Sequence, residues 1–159
     1  EKGTLIADNV LEGQSYMGIY LENNDSSSVI GNTVTGRGTR TDYHGIYFYV
    51  NYNQMRVVGN QVYVPNGSYG IRFYANYSNA ANEMLIANNF VAMKGTPTQY
   101  GIATEFCDFI GVYFNNVHLF GDAANSAAYL SSFGTSHKVQ NNNFVHSKTG
   151  RAINVSGVN

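Results

Sequence analysis

The sequence predicts an all-β fold, a right-handed parallel β-helix (a solenoid) of about six coils. Three observations predict it: a block recurring at near-constant intervals, an apolar alternation with the strand period, and a chain poor in charge and proline. Internal repeats decide the architecture before any local pattern does.

The first block reads apolar-x-x-Asn/Asp-x-Val/Phe. Its copies are Leu5-Ile6-Ala7-Asp8-Asn9-Val10, Val29-Ile30-Gly31-Asn32-Thr33-Val34 and Val57-Val58-Gly59-Asn60-Gln61-Val62. Leu85-Ile86-Ala87-Asn88-Asn89-Phe90, Val112-Tyr113-Phe114-Asn115-Asn116-Val117 and Val139-Gln140-Asn141-Asn142-Asn143-Phe144 follow. The Asn/Asp positions 8, 32, 60, 88, 115 and 142 give spacings of 24, 28, 28, 27 and 27 residues. A second block, small-apolar-x-apolar, follows each copy: Gly18-Ile19-Tyr20-Leu21, Gly45-Ile46-Tyr47-Phe48, Gly70-Ile71-Arg72-Phe73, Gly101-Ile102-Ala103-Thr104, Ala127-Ala128-Tyr129-Leu130 and Ala152-Ile153-Asn154-Val155.

Within each block apolar residues alternate over four to six positions and stop, which is the period of a strand and not of a helix. Stacked coils then pair each strand with its copy one turn away, in parallel, at about 4.8 Å. The expected inward ladders are Ile19, Ile46, Ile71, Ile102, Ala128, Ile153 and Leu21, Phe48, Phe73, Thr104, Leu130, Val155. The first block adds Val10, Val34, Val62, Phe90, Val117 and Phe144. Asn tolerates the left-handed backbone of tight bends and can bond both backbone and side chains. Asn32, Asn60, Asn88, Asn115 and Asn142 are therefore expected to form a structural ladder, with Asp8 at its head. Insertions at 36–44, 75–83, 92–100 and 121–127 are expected as loops, where solenoids often carry function.

Composition supports this reading. Only 12% of the 159 residues are charged, against roughly 25% in an average globular protein. Two prolines leave backbone donors free for sheet ladders, and 13 Tyr with 9 Phe favour strands. A net charge of −1 without a basic run speaks against a nucleic-acid partner. No apolar run reaches the roughly 18 residues of a membrane span, so no membrane insertion is expected. A single cysteine, Cys107, excludes an internal disulfide framework. One domain over 1–159 is expected, read as a segment of a longer protein without caps of its own.

The pattern "NNF…YGI…FNNV…AAYLSS…VQNNNFVHSKTGRAINVSG" resembles the parallel β-helix repeats of large secreted and cell-surface proteins of Bacteroidota. The resemblance spans essentially the whole chain and is densest from Met84 to Gly157. It implies type 9 secretion and display as an adhesin or stalk. Its motifs are specific for fold and much less so for function, since pectate lyases, polygalacturonases and phage tailspikes share them.

Candidate chemistry is sparse. Ten acids are spread along the chain, and Glu22 and Glu105 share a column three coils apart, roughly 14 Å by strand spacing and too far for a carboxylate pair. Asp42 with His44, near Arg72 one coil on, is the best catalytic candidate, as a general base flanked by a cation. His118, His137 and His146 sit at different repeat positions, so neither a metal site nor a cofactor is expected. The outward columns of the second block read Tyr20, Tyr47, Arg72, Ala103, Tyr129, Asn154 and Glu22, Tyr49, Tyr74, Glu105, Ser131, Ser156. Tyr20, Tyr47, Tyr49, Arg72 and Tyr74 thus crowd one face, where planar rings could stack on sugars or simply stabilise the sheet. The expected function is a non-enzymatic secreted or cell-surface rod, with surface glycans as partners of the Tyr face. A polysaccharide lyase or hydrolase is the alternative. A third is a filament unit that associates end to end or continues into adjoining coils.

Overall fold

The computed structural model describes residues 2–157. Coil one holds β1 (Leu5–Ala7), β2 (Val10–Gln14) and β3 (Met17–Glu22); coil two holds β4 (Ser28–Ile30), β5 (Thr33–Gly36) and β6 (His44–Tyr49). Coil three holds β7 (Arg56–Val58), β8 (Gln61–Val64) and β9 (Tyr69–Tyr74); coil four holds β10 (Met84–Ala87), β11 (Phe90–Met93) and β12 (Tyr100–Glu105). Coil five holds β13 (Asp108–Tyr113), β14 (Asn116–Leu119) and β15 (Ala127–Ser132); coil six holds β16 (Thr135–Gln140), β17 (Asn143–His146) and β18 (Arg151–Ser156). Every third strand pairs in parallel, so the described residues form three six-stranded sheets around one core and contain no helix. This is the parallel β-solenoid that the repeat predicts.

The first block bends at its Asn and contributes a strand to each of the first two sheets. The second block makes the third sheet. Val29, Val57, Ile86 and Val112 face inward from the first sheet, and Val34, Val62, Val91 and Val117 from the second, all at most 1% exposed. Burying each such side chain is worth about 1.5–3 kcal/mol.

The bend is held by an amide ladder. The backbone N–H and Nδ2 of each rung donate to Oδ1 of the next: Asn9 to Asn32, Asn32 to Asn60, Asn60 to Asn89, Asn89 to Asn115 and Asn115 to Asn142, all at 2.8–3.0 Å. Nδ2 also reaches a carbonyl in the preceding coil, as Asn60 does to Val29 at 3.0 Å. This corrects two expected positions. Asn89, not Asn88, is the fourth rung, and Asn9, not Asp8, the first. Asn88 and Asp8 sit just before the rung with φ of 54° and 55°. Gly31, Gly59, Phe114 and Asn141 hold the equivalent left-handed place in the other coils.

The same one-residue shift carries the inward position from Val10 to Leu11 and from Phe90 to Val91. Val10 and Phe90 are 72% and 47% exposed. Side chains alternate strictly across a strand, so a slip of one residue turns the whole strand over. Coil five is likewise shifted. Ala128, not Ala127, lies against Gly101, so Tyr129 and Ser131 follow Ile102 and Thr104 inward, while Leu130 and Ser132 join the outward columns. Tyr129 is fully buried, with its hydroxyl 2.9 Å from Thr104 Oγ1, an inward polar pair that satisfies itself.

A second ladder, which the sequence reading did not find, marks the bend between the third sheet and the next coil. Asn24 donates to Asn51 Oδ1 at 2.9 Å, Asn51 to Asn76 Oδ1 at 2.9 Å, and Cys107 takes the next rung. Its thiol faces the Phe73 and Glu105 carbonyls at 3.5 and 3.3 Å. Cys107 is fully buried, and burial pushes the thiol up to about 12. It should therefore resist a thiol reagent at pH 8 until the chain unfolds. Cys107→Asn should restore the amide rung and raise the unfolding free energy by about 1 kcal/mol in a urea titration.

Candidate functional site

The outer face of the third sheet is a grid of three columns set by strand register. One column runs Met17, His44, Tyr69, Tyr100, Ala127, Arg151; the next Tyr20, Tyr47, Arg72, Ala103, Leu130, Asn154; the last Glu22, Tyr49, Tyr74, Glu105, Ser132, Ser156. Tyr20, Tyr47, Tyr49, Arg72 and Tyr74 are brought together. His44, Tyr69, Tyr100 and Glu105 join them, and of these only His44 carried a functional expectation from sequence, as a base. The missed signal is the residue just before each small one of the second block, which is also a column of the grid.

Arg72 is the centre of this patch. Its Nε donates to Glu105 Oε2 at 2.7 Å, with the two side chains 17% and 13% exposed. Its guanidinium carbon lies 4.2 Å from the Tyr69 ring centroid, 4.7 Å from Tyr74 and 5.2 Å from Tyr47. A cation over ring faces in partly desolvated surroundings holds both partners in place. Neighbouring rings stand 5.4 Å apart between Tyr20 and Tyr47, 6.0 Å between Tyr47 and Tyr49, and 5.9 Å between Tyr49 and Tyr74, tilted by 37–45°. At such tilts neighbouring rings do not cover one another's faces. Tyr20 closes the patch by donating to Glu22 Oε2 at 2.8 Å.

Asp42 and His44 have different partners. Both Asp42 oxygens accept from Arg40, at 2.7 Å each, which holds the carboxyl below its usual range. Tyr43 between them is buried against Gly36 and Gly67, where any β-carbon would collide with it. That anchor delivers His44 to the sheet, 8% exposed, between the rings of Tyr47 and Tyr69 at 4.7 and 4.8 Å. Its Nδ1 has no hydrogen-bond partner.

Burial first, then the Arg72 charge, lowers the His44 pKa from 6.5 to about 4, with Asp42 pulling the other way. The unfolded chain therefore takes up this proton before the folded one does. The contribution to stability is complete above about pH 6.5 and is lost as pH falls toward 4, by about 2–3 kcal/mol. His44→Tyr, which copies Tyr69 and Tyr100 in the same column, should flatten unfolding free energy across that window.

A family model described as NosD, periplasmic copper-binding protein, matches residues 1–100, well over half of the chain. The chain belongs to the NosD family. No curated protein and no solved structure matches it. The family's description is of periplasmic proteins, consistent with an extracytoplasmic location. A NosD-family β-helix is also compatible with a non-enzymatic, structural role.

Copper in proteins is held by grouped thiolate, thioether and imidazole donors. Among the described residues no three His, Cys, Asp or Glu side chains converge. Cys107, Met55, Met84 and Met93 are fully buried in the core. The ring nitrogens of His137 are taken by Ser131 Oγ and the Cys107 carbonyl, both at 2.7 Å. The described residues of this NosD-family chain do not fit a copper centre.

Proposed function

We propose that this chain is a non-enzymatic, extracytoplasmic β-helix rod that binds carbohydrate on the outer face of its third sheet. The observation that carries this reading is the Tyr grid fixed by the Arg72–Glu105 pair. Rings on a rigid sheet lose little conformational freedom on binding, and their hydroxyls stand beside apolar faces, the combination that suits sugar rings. The commitment of Asp42 to Arg40 supports the non-enzymatic side. The resemblance of the repeats to those of Bacteroidota surface proteins supports display as an adhesin or stalk outside the cell.

Glycan-array binding tests the site. Tyr47→Ala and Tyr74→Ala should each weaken binding by about tenfold, the loss of about 1.4 kcal/mol expected for a contact aromatic. Unchanged binding in both variants would remove the site, and turnover of a uronic-acid polymer abolished by Asp42→Ala would replace the rod with an enzyme.

A further inference from the structure

The charges on the aromatic face point to a more specific ligand, on the premise that the proposed carbohydrate site is correct. Arg72 is the cation within the patch, and it is already occupied. Glu105 accepts from its Nε at 2.7 Å, and three Tyr rings surround its guanidinium. Arg40, over the Tyr16 ring and outside the three columns, pairs with Asp42 at 2.7 Å. Arg151, in coil six, stands three coils from Arg72, roughly 14 Å by strand spacing. Glu22 and Glu105 outweigh Arg72, so the patch carries a net charge of −1 from −1, +1 and −1.

A uronate or sulfate group entering here would lose water and gain no free cation, and it would meet two carboxylates. Burying a charge without a partner is costly. A neutral sugar meets ring faces and Tyr hydroxyls and incurs no such cost. We infer that the ligand of this face is a neutral polysaccharide, and that Glu105 sets this preference by neutralising Arg72.

Affinity gel electrophoresis of the full chain at low salt tests this, with mobility read against a polymer-free gel. The probes are xyloglucan, galactomannan and mixed-linkage glucan as neutral polymers, and polygalacturonate as the anionic one. The chain should be retarded by at least one neutral polymer, with retardation lost in Tyr47→Ala, and should run freely in polygalacturonate. Glu105→Gln keeps the shape of the side chain and frees the Arg72 charge. It should gain retardation in polygalacturonate that fades as salt is raised. Glu22→Lys, at an exposed position, moves the patch from −1 to +1 and should give the same gain even where Glu105→Gln lowers the unfolding midpoint. Tyr47-dependent retardation of the parent chain by polygalacturonate would overturn the neutral preference and leave the carbohydrate site standing. Retardation by none of the polymers would overturn both. Failure of both charge variants to gain anionic binding would remove Glu105 from its role.

Discussion

Asn89→Ala should lower the unfolding free energy by about 3–5 kcal/mol, while Asn88→Gly, one residue away, should stay within about 1 kcal/mol of the parent. Asn89 is buried and joins three coils. Its Nδ2 reaches the Val57 carbonyl at 2.9 Å, its Nδ2 and backbone N–H both reach Asn115 Oδ1, and its own Oδ1 accepts from Asn60 N and Nδ2 at 2.9 and 3.0 Å. Alanine leaves the buried Asn60 backbone N–H without the Asn89 acceptor, at about 1–3 kcal/mol, and removes the side-chain bonds to Asn60 Nδ2, the Val57 carbonyl and Asn115 Oδ1, at about 1 kcal/mol each. Asn88 is exposed with φ of 54°, a conformation that glycine adopts without steric cost. Urea titrations of the two variants check this, and equal losses would show that the rung had been misplaced.

Phe73→Ala should be comparably severe, costing about 3–5 kcal/mol, whereas Phe133→Ala should cost no more than about 1 kcal/mol. The two residues stack in nearly the same geometry. Phe73 lies 4.6 Å from Phe48 at 12°, and Phe133 lies 5.0 Å from Phe106 at 11°. What differs is water. Phe48 and Phe73 are fully buried, while Phe106 and Phe133 are 41% and 57% exposed. Removing the inner ring opens a cavity that the surrounding coils cannot close; removing the outer one returns the site to solvent. Thermal or urea unfolding of both variants separates burial from ring stacking, and similar losses would assign the energy to the stack itself.

The solenoid and most of its inward ladders were legible because repetition samples the same environment six times. Its phase was harder to read where polar or small residues occur in pairs. Asp8-Asn9, Asn88-Asn89 and Ala127-Ala128 each offer two candidates for one place, and the choice falls to the left-handed residue before the rung or to close backbone packing. The frame of three residues from inward Ile86 to Asn89, and two more to Val91, would have resolved the fourth coil. Cys107 hid the second ladder, because a thiol does not look like an amide until the Asn51 and Asn76 rungs are seen above it. The Tyr20–Tyr47 and Tyr49–Tyr74 columns were readable by alternation, whereas the Tyr69–Tyr100 column and the inward turn of Tyr129 were not. The closure of Arg72 by Glu105 was not, because it depends on side-chain reach across neighbouring coils and not on a repeated letter.

The amide ladder also makes rod length an independent variable in evolution. Every rung offers the same donors to one neighbour and the same acceptor to the other, so along this line the joint between any two coils is chemically interchangeable. Duplicating or deleting a whole coil, from one rung to the next, would leave each remaining joint intact and change the reach of the rod by about 4.8 Å. Loss or gain of part of a coil would instead throw one amide out of step and break the line. Lineages carrying this chain should therefore differ in length by quanta of a coil, while the loops between strands vary freely.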